Sequence, residues 1–166
     1  MPLIPPYGGQ LVNLLATGDE QRALLDKATH LQSIQISPRA LCDLELLATG
    51  GFSPLTQFMG RADYERVLEE MRLADGTLFP LPITLTVDGK LLAKAGDRIA
   101  LRDARNELIA IMDVEETFGW DARHEAQLAL GTTDPRHPLV SEMISWGDTC
   151  VSGALHVVRL PRYHDF

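Results

Sequence analysis

The chain is poor in cysteine: only Cys42 and Cys150 occur among its 166 residues, far apart in sequence. That excludes a disulfide framework and leaves two reduced thiols as the plain reading. No apolar run approaches the roughly 20 residues that a membrane helix needs. Pro2, Pro5 and Pro6 stand near the start with no basic residue before Arg22, so the opening does not read as a signal peptide, and a cytoplasmic location is expected. Positive charge is scarce as well. Fifteen Lys and Arg stand against 23 Asp and Glu, a net charge of −8, which suits a phosphate backbone poorly because that affinity comes from neutralising phosphates. Repeats, low-complexity segments and linkers are missing too, so residues 1–166 read as one domain. At 45% hydrophobic and 23% charged, the chain is long enough to bury a core without staples.

The motifs of several chemistries are also missing. His30, His124, His137, His156 and His164 show neither a His-x-x-His nor a His-x-x-x-His pair, and no metal site is expected. Gly8-Gly9 and Gly50-Gly51 lie in no phosphate-loop frame and read as a turn and a helix stop. Ser53 does not complete the Gly-x-Ser-x-Gly of a nucleophile elbow, since Leu55 stands at the second glycine position, and it is expected to hydrogen-bond locally in a turn. The adjacent acids Glu69-Glu70 and Glu115-Glu116 point in different directions on a helix or a strand, so they are expected to face solvent rather than share a site. Cys42, beside Leu41 and Leu44, is expected as a small buried hydrophobe. Cys150 has no base beside it in sequence, and the same reading applies to it.

What is present is a mixture of short elements. Asp19 is expected to cap a short helix. Ile34 and Ile36 alternate with polar neighbours as in a strand. Ser37-Pro38 reads as an N-cap followed by proline at the first helical position, and Leu41, Leu44, Leu47 and Ala48 continue that helix to Gly50. Tyr64, Val67, Leu68 and Met71 mark the apolar stripe of another helix after Gly60. Asp75-Gly76 is a turn. Strands are expected over 83–87, at Ile99 and Leu101, and over 108–114, the last two forming an antiparallel hairpin around 103–106. Helices over 121–130 and 138–146 follow, then strand-like sequence at Val151 and over 154–160. The fold class is α+β, and the pattern alone does not choose among α+β folds.

The most informative stretch is Gly51-Phe52-Ser53-Pro54-Leu55, followed by Phe58-Met59-Gly60. It carries too much apolar surface for a solvated connection, so it is expected either to fold back onto a core or to form an interdomain surface. With Leu3-Ile4-Pro5-Pro6-Tyr7-Gly8-Gly9-Gln10, Met71-Arg72-Leu73-Ala74-Asp75-Gly76, Phe79-Pro80-Leu81-Pro82-Ile83, Gly96-Asp97-Arg98-Ile99, Asp134-Pro135-Arg136-His137-Pro138 and Leu160-Pro161-Arg162-Tyr163 in order, it resembles the N-terminal part of the ATP sulfurylase (sulfate adenylyltransferase) family. Gln57 stands where many members have glycine. The style of the blocks is closest to bacterial members in which an adenylylsulfate kinase is fused.

The resemblance implies a PUA-like β-barrel of short, mostly antiparallel strands with several packed helices. It places the chemistry, conversion of ATP and sulfate to adenylyl sulfate and pyrophosphate with Mg, in a following domain marked by Gln-x-Arg-Asn-Pro and His-x-x-His. Here the sole Arg-Asn pair, Arg105-Asn106, lacks that context, so no catalytic or cofactor-binding residue carries over. The partners implied are the catalytic domain of the same polypeptide and a fused kinase domain, with no nucleic acid and no membrane. Phe52, Ser53, Pro54, Leu55, Phe58, Met59, Tyr163 and Phe166 are expected near the face that meets the catalytic domain. The other reading is a free-standing PUA-like binding module for RNA or a small anion. The acidic balance and the lack of an aromatic-basic cluster argue against RNA.

Overall fold

The computed structural model describes residues 3–9, 11–88 and 93–162. Its scaffold is one curled, half-barrel sheet of five strands in the order β1-β3-β4-β5-β2. These are β1 (Gln32–Gln35), β2 (Leu85–Val87), β3 (Arg98–Arg102), β4 (Leu108–Gly119) and β5 (Thr149–Val157). β1 runs parallel to β3, and every other pairing is antiparallel, including the β3–β4 hairpin expected from the sequence. Side chains alternate between two cores. Ile99, Leu101, Met112 and Val114 enter the larger one, while Ala100, Leu108 and Ile111 face a smaller one closed by Leu24 and Ala28 of α1 (Gly18–Ala28).

The second helix, α2 (Pro38–Thr49), shows why local sequence sets its ends. Ser37 caps it, its Oγ accepting from the Ala40 amide at 3.1 Å. Pro38 follows where a missing N–H costs nothing, and Gly50 closes the helix at φ 84°, a left-handed turn that glycine adopts without Cβ strain. Its inward stripe is Ala40, Asp43, Leu44, Leu47 and Ala48. Cys42 therefore faces out and is exposed, a correction to the expectation that it is buried. A stripe at i, i+3, i+4, i+7 and i+8 turns Asp43 inward and leaves its neighbour outside.

Beyond α2 comes α3 (Arg61–Glu70), which ends one residue before Met71. That residue adopts φ 56° and is exposed rather than part of the apolar stripe. α4 (Ala122–Glu125) is capped by Asp121 and runs on as one π-helical turn, Ala126–Leu130, before Gly131. α5 (Pro138–Met143) is shorter than its sequence pattern suggested.

β4 is longer than expected because a bulge between Val114 and Glu116 breaks the alternation that would have revealed its second half. The bulge brings both neighbouring acids to one loop. Glu115 accepts from Gln57 Nε2 at 3.0 Å, and Glu116 accepts from the Arg61 amide at 2.9 Å, at the start of α3. Both acids keep their solvent exposure, as expected, while accepting these bonds.

Candidate functional site

A half-barrel leaves its two end strands unjoined, and a broad concavity lies along that seam. Gln32 and Gln35 of β1 form one wall and Thr86 of β2 the other, with Arg39 of α2 and Glu142 and Trp146 from the α5 region completing a cleft of about 1140 Å³. Its lining is mixed in sign and rich in amide and hydroxyl groups.

Directly beneath the cleft sits an interlocked polar cluster. The Arg39 guanidinium lies 5.4 Å from the Trp146 ring centre and 3.7 Å from the Asp43 carboxylate. Trp146 stacks on Trp120 at 5.7 Å, and Trp120 Nε1 donates to Glu125 Oε2 at 2.5 Å. Tyr64 lies close enough to Glu125 for the two groups to perturb each other. Burial raises the Glu125 carboxyl above its ordinary value, with the Trp120 and Tyr64 donors and the Arg39 charge acting in the opposite sense. Burial likewise raises Asp43, against the pull of Arg39. The Tyr64 hydroxyl is raised by burial and by Glu125. Burial, then the charge of Glu125, pushes the Cys150 thiol up to about 12, which leaves it a poor thiolate at neutral pH. Chemically this cluster holds elements together: its acids are spent on tryptophan and arginine inside the protein. Among the described residues, no three His, Cys, Asp or Glu side chains converge as a metal site would require.

The loop expected at an interdomain face divides in two. Leu55, Phe58 and Met59 are buried in the chain's own larger core, where a fully buried phenylalanine contributes about 2 kcal/mol or more. Ser53 is buried too. Its hydroxyl donates to the Gly50 carbonyl at 2.7 Å and accepts from the Val12 amide at 3.3 Å. Phe52 and Pro54 stay half-buried, Phe52 meeting Phe79 edge-on at 6.2 Å. Tyr163 and Phe166 lie outside the described residues. The sequence reading missed the seam and its cluster. Trp146 beside Arg-x-x-x-Asp was their only trace, and nothing in the order of residues links the two.

Comparison with known proteins gives a consistent picture. A family profile described as a PUA-like domain matches residues 4–160. A sulfate adenylyltransferase from Synechococcus sp. (strain JA-3-3Ab) is 42% identical over 158 residues, covering 94% of this chain and 40% of that protein. One from Mycosarcoma maydis is 42% identical over 168 residues, covering 97% of this chain and 29% of the relative. Among solved structures, a hexameric APS kinase from Thiobacillus denitrificans superposes with a TM-score of 0.76 at 33% identity, over 99% of this chain and 29% of that one. The chain thus spans well under half the length of these relatives.

Proposed function

The chain belongs to the PUA-like domain family, and we propose that it serves as the N-terminal, non-catalytic domain of a sulfate adenylyltransferase, supporting a catalytic domain on the same polypeptide. One observation carries this reading. Relatives with that name match almost the whole chain, yet the chain accounts for only 40% of the Synechococcus protein. In such a parent, ATP and sulfate become adenylyl sulfate and pyrophosphate. Several of the chain's acids are already engaged by its own side chains. Glu125 is held by Trp120, Asp113 by Arg98 and His156, and Asp134 by Arg136. These acids do not fit a magnesium cage, so the nucleotide and its metal are assigned to the remaining length of the parent. The likeness to the Thiobacillus structure supports an adenylylsulfate kinase as a further partner in cis, and a cytoplasmic location follows from that role. No described helix is long and apolar enough to cross a membrane.

The test is pyrophosphate release from ATP and sulfate. It compares this chain with a fusion carrying the remaining length of the Synechococcus protein behind it. Turnover is expected only in the fusion; turnover by the short chain alone would overturn the reading.

A further inference from the structure

The three longest runs without Asp, Glu, Lys or Arg are residues 1–18, 46–60 and 76–87. The fold ties their described residues together. Tyr7 Oη donates to the Leu78 carbonyl at 2.8 Å, and Gly8 backs onto Pro54. The Leu14 amide donates to the Ala48 carbonyl at 3.0 Å, and the Met59 amide to the Ile83 carbonyl at 2.8 Å. These runs also hold seven of the ten large apolar side chains that the described residues leave exposed, among them Tyr7, Leu11, Leu46, Leu78 and Leu81. Exposed apolar surface of this kind marks contact with another protein surface, and depletion of charge is the compositional sign of an interface core.

From this convergence we infer that the surface built by Tyr7, Leu11, Leu46, Phe52, Leu78 and Leu81 docks the catalytic domain in cis. The inference rests on the scaffold role proposed above and adds which face performs it. A second copy of this chain is the poorer occupant. Each copy carries a net charge of −8, all of it outside these runs, so pairing two copies brings like charges together with no opposite charge on the face to offset them. A tethered neighbour needs little free-standing affinity, because the linkage holds it at high effective concentration.

Amide hydrogen exchange on this chain and on the fusion described above tests the assignment. In the fusion, exchange over 11–16, 50–54 and 77–81 is expected to slow by about tenfold or more. The triple variant Leu11→Glu, Leu78→Glu, Leu81→Glu should abolish that protection. These side chains are 62%, 52% and 52% exposed, so the triple variant of the isolated chain should melt within about 1–2 °C of the parent. The control Leu128→Glu, Ile144→Glu, at exposed apolar positions outside the runs, should keep the protection. Equal exchange in the isolated and fused chains of an active fusion would overturn the docking face while leaving the scaffold role intact. So would protection confined to the seam, or a dimer of the isolated chain, seen by sedimentation, that the triple variant dissolves. Turnover by the isolated chain would instead remove the scaffold role itself.

Discussion

Helix α2 carries two surfaces built on opposite principles. At its start, Arg39 and Cys42 border the seam cleft; seven residues on, about 10 Å along the axis, Leu46 belongs to the charge-free face. The seam is mixed outside, where amides and hydroxyls stand beside Ile34, Val87 and Trp146, and polar beneath. Its buried acids are each tied to named donors, and its two walls come from strands at opposite ends of the sheet order. The other face is apolar outside and apolar beneath, laid down by three segments that meet through backbone hydrogen bonds. The first is finished within the chain in that its buried acids, Asp43 and Glu125, have internal partners. The second keeps apolar surface that the described residues leave exposed. A polar region can therefore be structural and an apolar one the interaction surface.

The most damaging way to break the comparison is to force the seam apart. A Cβ added at Gly147 would stand 1.7 Å from the Val87 carbonyl oxygen, so backbone must move to admit it. Gly147→Ala is expected to cost about 3 kcal/mol in urea unfolding, at the upper end for overpacking. The exchange rates of 11–16 should change no more than the global loss requires. A loss under about 1 kcal/mol would mean that β2 yields freely and that the seam is not a fixed wall.

A smaller effect should come from the cluster below. Glu125→Ala leaves the buried Trp120 Nε1–H without its acceptor, at a cost of about 2 kcal/mol. The sign of its pH dependence follows from the raised carboxyl. The folded chain keeps a proton on Glu125 that the unfolded chain releases above its ordinary value of 4.5. The associated stability is complete below that pH and is lost as pH rises toward the folded value. Asp43, raised from 3.8, acts in the same direction. Asp113 acts oppositely and at lower pH: Arg98 and then His156 hold it below 3.8, so its contribution is lost on acidification. Glu125→Gln should therefore flatten the decline of Tm above pH 4.5. A Gln variant whose profile stays parallel to the wild type would remove Glu125 as its source.

How much of the two regions the sequence disclosed depends on how local each signal is. Both ends of α2 were legible because Ser37, Pro38 and Gly50 act within a turn of themselves. The inward choice between Cys42 and Asp43 was not, since Asp43 is tolerated inside only through Arg39 and the fold above it. The second half of β4 was hidden by a bulge that cancels period-two alternation at Glu115. The seam joins Gln32, Thr86 and Trp146, whose separations in sequence leave no motif. The apolar loop from Phe52 to Met59 was recognised, but sequence alone could not divide its buried half from its half-exposed one. The signal that completes it, three long runs without charge, is visible in the sequence once the runs are considered together rather than as separate turns and strands.

The gentlest perturbation sharpens the comparison from the apolar side. Ser53 is a buried side chain that ties the N-terminal segment to the α2 terminus, through the Val12 amide and the Gly50 carbonyl. Val12 is only half-buried, so water can replace part of what Ser53→Ala removes. The expected cost is about 1 kcal/mol. Its distribution is more telling than its size. Exchange should quicken over 11–16, while the amides of β5 beside the seam follow only the global change. If the β5 amides instead quicken as much as the segment beyond Val12, the two surfaces on α2 are one cooperative unit, and the division between a finished seam and an unfinished face fails.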